Sequence, residues 1–129
     1  MSFQKALAVT LQAASGADLA QGRFVDIGAS GLTTPTANGD AVGVTAEAYD
    51  DSEVTAGRGS PAIPVLVEGI VEVEASAAIA VGADVATGAD GRAATAASGN
   101  VVLGKCVLAA GAAGEFASVL LTKRGSTAP

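Results

Sequence analysis

The sequence predicts a mainly β fold, a small β-barrel or sandwich of short strands. It is read as a pseudo-repeat of two halves with an extended N-terminal arm. Three observations predict it. Short apolar runs recur at close spacing with glycine turns between them. No long amphipathic helix with convincing caps occurs. A glycine pattern is also repeated about sixty residues further on: Gly22, Gly28, Gly31 and Gly39 meet Gly82, Gly88, Gly91 and Gly99, and Gly43 meets Gly104 after a one-residue insertion. What repeats is turn glycine and valine, with no reactive side chain among them. That describes a shape rather than a catalyst.

The elements follow in order. Leu7, Val9 and Leu11 alternate with Ala8, Thr10 and Gln12, which is period two and reads as an extended arm over 1–15. A short helix competes there, because Ala, Leu, Gln and Lys favour helix. Residues 16–123 read as a single β-rich domain with half-repeats at about 22–74 and 82–122, and 124–129 as a flexible polar tail. Residues 22–27 are a short strand, 29–31 a turn, and Asn38-Gly39 a hairpin dipeptide. A strand resumes over 40–46. The stretch 47–60 is the longest polar one and reads as a surface loop.

The clearest strand is 63–74. Val65, Val67, Val71 and Val73 share one face and Glu68, Glu72 and Glu74 the other, with a bulge expected at Gly69. The Ala-rich segment 75–81 has room for one short helix, and 80–85 is a tight turn into the second half. Strands over 101–108 and 115–121, joined by a Gly/Ala turn at 110–114, complete the domain.

Composition bounds the function. Half of the 129 residues are hydrophobic, too many for a disordered chain. They are mostly small, with three Phe, one Tyr and no Trp, so the core is thin and gains from oligomerisation. The net charge of −6 repels phosphate backbones, which argues against nucleic acid as a partner. No run approaches the ~18 apolar residues of a membrane span. Residues 1–14 make a poor signal peptide, since Thr10 and Gln12 interrupt a short apolar stretch.

Reactive chemistry is sparse. Histidine is absent, which removes the commonest general base and the usual imidazole metal ligand. Cys106 lies in an apolar run and reads as a small buried hydrophobe. No nucleophile elbow, phosphate-binding loop or dinucleotide fingerprint occurs. The acidic group Asp50, Asp51 and Glu53 lacks the spacing of a calcium loop and reads as solvated charge. The sequence therefore predicts no enzyme, no metal and no cofactor. The rhythm around 69–85 is similar to that of biotinyl and lipoyl carrier domains, but Lys105 sits in an apolar strand rather than at a hairpin tip, so the carrier function fails at its reactive residue.

The order of features resembles the capsid cement, or decoration, proteins of tailed bacteriophages. The likeness is carried by Gly16-Ala17-Asp18-Leu19 before Gly22-Arg23-Phe24-Val25, then Asp40-Ala41-Val42-Gly43-Val44 and the valine strand 65–73. It continues through Ala80-Val81-Gly82-Ala83-Asp84-Val85, Gly88-Ala89-Asp90-Gly91, Val102-Leu103-Gly104-Lys105-Cys106-Val107 and Val119-Leu120-Leu121. The resemblance implies a structural virion protein on the outer surface of the assembled capsid, a homotrimer that bridges subunits of the major capsid protein. In that reading the arm adds a strand to a sheet edge on the capsid, with Phe3, Leu7, Val9 and Leu11 as the contact residues. The alternative for those four is packing on the protein's own barrel. A secreted β-rich adhesin or surface-layer module, binding through 47–60, is the competing function.

Overall fold

A computed structural model describes residues 7–14, 18–37, 39–52, 57 and 62–122. Among these residues nine strands form, in chain order: β1 Leu7–Gln12, β2 Phe24–Gly28, β3 Gly31–Thr33, β4 Gly43–Thr45, β5 Ala62–Glu74, β6 Asp84–Thr87, β7 Ala93–Thr95, β8 Gly104–Leu108 and β9 Phe116–Leu121. All strand pairs are antiparallel, and the sheet curls into a half-barrel in the order β3-β2-β4-β5-β9-β8-β6-β7, with β1 also paired to β5. The residues explain the choice. Valine, isoleucine and threonine populate the strands, and glycines with positive φ at 22, 82, 99 and 114 make the turns that helices would not tolerate.

β5 organises the molecule. Its first part pairs with β1, from Ala62 opposite Gln12 to Glu68 opposite Leu7. Its second part pairs with β9, from Gly69 opposite Leu121 to Glu74 opposite Phe116. The hand-over falls at Gly69, where φ is +99°. One strand thus belongs to two sub-sheets, the first made of β1 to β4 and the second of β6 to β9.

The same backbone bonds recur in both sub-sheets at an offset of about sixty residues. Leu19 and Tyr49 exchange N–H···O bonds of 2.9 and 2.7 Å, as Ile79 and Ala110 do at 2.9 and 3.1 Å. The Gly22 N–H donates to the Thr45 carbonyl at 2.9 Å, and the Gly82 N–H to the Cys106 carbonyl at 2.8 Å. Val42 donates to Val25, and Leu103 to Val85, each at 2.8 Å. The cause is visible at Gly43 and Gly104. A Cβ at Gly43 would run into the Leu66 carbonyl and lie 2.8 Å from Val65 Cγ1; at Gly104 it would meet the Leu120 carbonyl and lie 2.8 Å from Val119 Cγ1. Only glycine lets β4 lie that close to β5, and β8 that close to β9.

Each sub-sheet has its own core. Leu19, Val25, Leu32, Tyr49, Ile63 and Val65 form the first. Ile79, Val85, Ala93, Ala110, Ala117 and Val119 fill corresponding places in the second. The second core also takes in Phe24, Ala41 and Val44, which reach it from the opposite face of the first sub-sheet and join the two.

Several expectations shift. The second part of the expected arm is β1, a strand of the domain itself, because Leu11 and Ala13 have apolar neighbours to bury against. The segment 75–81 is not helical: Ala75 and Ile79 make isolated bridges to Ala93 and Ala110, and tertiary pairing outweighs alanine's helix propensity. β3 and β7, three residues each, were unreadable as strands because they are shorter than any periodic signal.

Candidate functional site

Two kinds of surface stand out, an open strand edge and a set of exposed apolar side chains. β1 presents Leu7, Val9 and Leu11 on one face by simple alternation. Leu7 is 52 % exposed, Val9 is exposed to a lesser degree, and Leu11 is partly buried against the first core. Phe3 lies outside the described residues. The arm residues that the sequence singled out are thus brought onto one face, with exposure rising toward Leu7.

Sequence reasoning missed the second group. Val81, Val107, Leu108 and Leu120 are exposed apolar residues of the second sub-sheet. Val107 and Leu108 had a signal: they are consecutive apolar residues in a strand that should alternate, and the β8–β9 register shifts there. Lys105 is held by Asp84 at 3.3 Å on the same sub-sheet.

The polar loop after β4 is tied down where it starts. Tyr49 is buried, and its hydroxyl donates to Asp51 Oδ1 at 3.2 Å, while the Asp51 N–H donates to Asp18 Oδ1 at 2.9 Å. Burial, the bond to Asp51 and the nearby Asp51 and Asp18 charges push the Tyr49 phenol above its usual range. An acid whose folded pKa is raised stabilises the fold below its unfolded pKa, and that contribution is lost as pH rises through the folded value. Alkaline titration is therefore expected to lower the unfolding midpoint above about pH 10. Tyr49→Phe should flatten that limb, and an unchanged limb in the variant would refute the assignment.

Among the described residues, no group of three or more His, Cys, Asp or Glu side chains lies placed to hold a metal ion. Glu53 of the acidic group lies outside them. Cys106 is buried, with its Sγ 3.3 Å from the Leu108 carbonyl. The site is a matter of edges and apolar patches.

A family model described as phage cement protein matches residues 3–121. The chain belongs to the phage cement protein family. This cement protein is accordingly a structural virion protein, a component of the capsid surface. The match leaves the adhesin reading without support. The fold is also similar to the crystal structure of the head fiber gp8.5 N base of bacteriophage phi29, with a TM-score of 0.71 and 19 % identity over 95 % of this chain and 99 % of that one. At that identity the likeness concerns the fold. No curated protein matches the cement protein's sequence.

Proposed function

We propose that the protein binds the outer surface of the assembled capsid and stabilises it by bridging subunits of the major capsid protein, acting as a homotrimer. The observation that carries this is the family match, joined to an edge strand whose apolar face opens toward its N-terminal end. The residues ahead of Leu7 supply the backbone donors and acceptors that an exposed sheet edge on the capsid takes up, which leaves the edge of β1 from Ala8 onward free, and repetition around a symmetric position adds avidity. The net charge of −6 keeps the protein off the packaged genome. Among the described residues no helix is long and apolar enough to cross a membrane.

The contact is assigned to the outer end of the arm, to Phe3 and Leu7, with Val9 flanking it. Leu11 serves as the anchor that holds β1 to the domain. This division changes the choice of experiment. Deleting everything before Ser15 would strip β1 from β5 and take Ala13 and Ala14 out of the core, so loss of binding would be ambiguous. Leu7→Asp combined with removal of residues 1–6 spares the core. Co-sedimentation with expanded capsids of the parent phage should then fall at least tenfold, at an unchanged thermal midpoint. Full binding by this variant would overturn the arm assignment.

A further inference from the structure

The two sub-sheets meet at a junction of which the molecule uses only half the parts. On one side is the Gln21-Gly22 turn with Thr45, Ala46 and Leu66 of the first sub-sheet. Facing it across an open cleft of about 220 Å³ is the edge formed by Ile70, Val71 and Glu72, with Phe116 of β9 beside it. The contact is fastened by the Glu74 N–H, which donates to the Gly22 carbonyl at 2.8 Å, and by Arg23 and Glu74 at 3.3 Å.

Both sides of this junction have a duplicate elsewhere in the chain. β1 stands to the first part of β5 as the second part of β5 stands to β9. Val9 pairs with Val65 as Val71 pairs with Val119, and Leu11 pairs with Ile63 as Val73 pairs with Ala117. Yet Val71 is 3 % exposed and Val9 is 37 % exposed. The difference is cover: Phe24, Ala41 and Val44 pack in the cluster that closes over Val71 and Val73, and they are absent from the cluster of Leu11.

The covering side is duplicated too. By the hydrogen bonds that relate the sub-sheets, Gln21, Gly22, Thr45 and Ala46 correspond to Val81, Gly82, Cys106 and Val107, and by the strand registers Leu66 corresponds to Leu120. Among the described residues that duplicate covers no strand edge, and its Gly82 carbonyl accepts from Lys105 Nζ at 3.4 Å instead of from a strand N–H. It is more apolar than the original, with Val81 64 % exposed beside Val107, Leu108 and Leu120. Among the described residues there is therefore one uncovered edge, one unused cover, and a worked example of how the two fit.

We propose that the unused cover of one copy closes over the β1 edge of a second copy, repeating the internal junction between chains. This takes up the self-association proposed above and names its surfaces. The occupant is a second copy because the surface continues an interface whose both halves are encoded in this chain. The contact is head-to-tail, with different patches meeting, so it closes into a ring or grows as a filament according to its rotation. It differs from its internal original in two respects: its rim is more apolar, with Val81 and Val107 in the places of Gln21 and Ala46, and its centre is charged. The Asp84–Lys105 pair stands in the register place of Phe24–Val44, so an ion pair replaces an apolar pair at the middle of the contact between copies. That substitution suits a protein that must stay soluble before it assembles.

The experiment uses two exposed positions, Ala8→Asp on the edge and Val107→Asp on the cover, in the full-length protein. Their counterparts Ile70 and Ala46 line the same cleft. Sedimentation analysis should show an oligomer for the native chain and monomers for each variant, with thermal midpoints unchanged. Mixing the two variants should give a dimer that grows no further, because one intact edge and one intact cover remain. Oligomers that survive both single substitutions overturn the junction and leave self-association standing. Monomers from the mixture overturn the head-to-tail geometry. A native chain that is monomeric at high concentration overturns self-association as well.

Discussion

Phe24→Ala is expected to remove about 3–5 kcal/mol of stability, the usual cost of truncating a buried phenylalanine. Phe24 is 1 % exposed and belongs to the second core although it sits on β2 of the first sub-sheet. The few other large side chains leave little to refill the void, since the chain has only three Phe, one Tyr and no Trp. For a domain whose total stability is about 5–15 kcal/mol, this loss is a large share. It should appear in urea titrations as a lower midpoint at unchanged slope. Because the residue also covers Val71 and Val73, the variant should unfold both sub-sheets together. A loss below about 1 kcal/mol would show that packing across the junction is too loose to matter.

Gly43→Ala and Gly104→Ala should each cost about 2–3 kcal/mol, at the upper range of overpacking, because the obstruction is backbone rather than a side chain that moves aside. The added methyl meets a carbonyl oxygen of the neighbouring strand at both positions, so β4 or β8 must separate from it. Equal losses are expected, since the two environments match atom for atom down to the valine Cγ1. Gly99→Ala is the control. It has φ of +91° and nothing within 4 Å of the new Cβ, so only left-handed strain of about 1–2 kcal/mol opposes it. A larger loss at Gly99 than at Gly43 or Gly104 would contradict the close-packing argument.

These two glycines also show what was legible in the sequence. Their offset of about sixty residues is written in the chain, as is the long valine strand; the bulge expected at Gly69 falls instead between Leu66 and Glu68, and it turns Val65 to the first core and Val71 and Val73 to the second. Periodicity of two and turn glycines are local signals, and they carried the mainly β reading. The sequence did not disclose that β5 serves two sub-sheets, because nothing local distinguishes an edge from a centre. Nor did it disclose that Phe24 faces the second core rather than the first. Both faces of β2 are buried at Phe24 and Val25, so alternation is silent there. For the site, the face shared by Leu7, Val9 and Leu11 was readable. Their graded exposure was not, since it depends on Phe24, Ala41 and Val44 reaching one duplicate and not the other. Val107 and Leu108 continue the apolar run of Cys106 yet lie at the surface, where a register shift turns the strand outward.

The sharing of β5 has a consequence for how the chain is made. Synthesis delivers the N-terminal sub-sheet first, and its last strand is complete once residue 68 has emerged. Residues 69–74 follow at once, but β9, their partner, begins only at Phe116. During that interval a growing chain displays Val71 and Val73 on a strand with no mate, the kind of segment that captures other nascent chains. Glu68, Glu72 and Glu74 alternate with those valines along the same stretch. In the finished protein they are mostly surface carboxylates. On the ribosome they are gatekeepers, repelling a like strand until the correct one arrives.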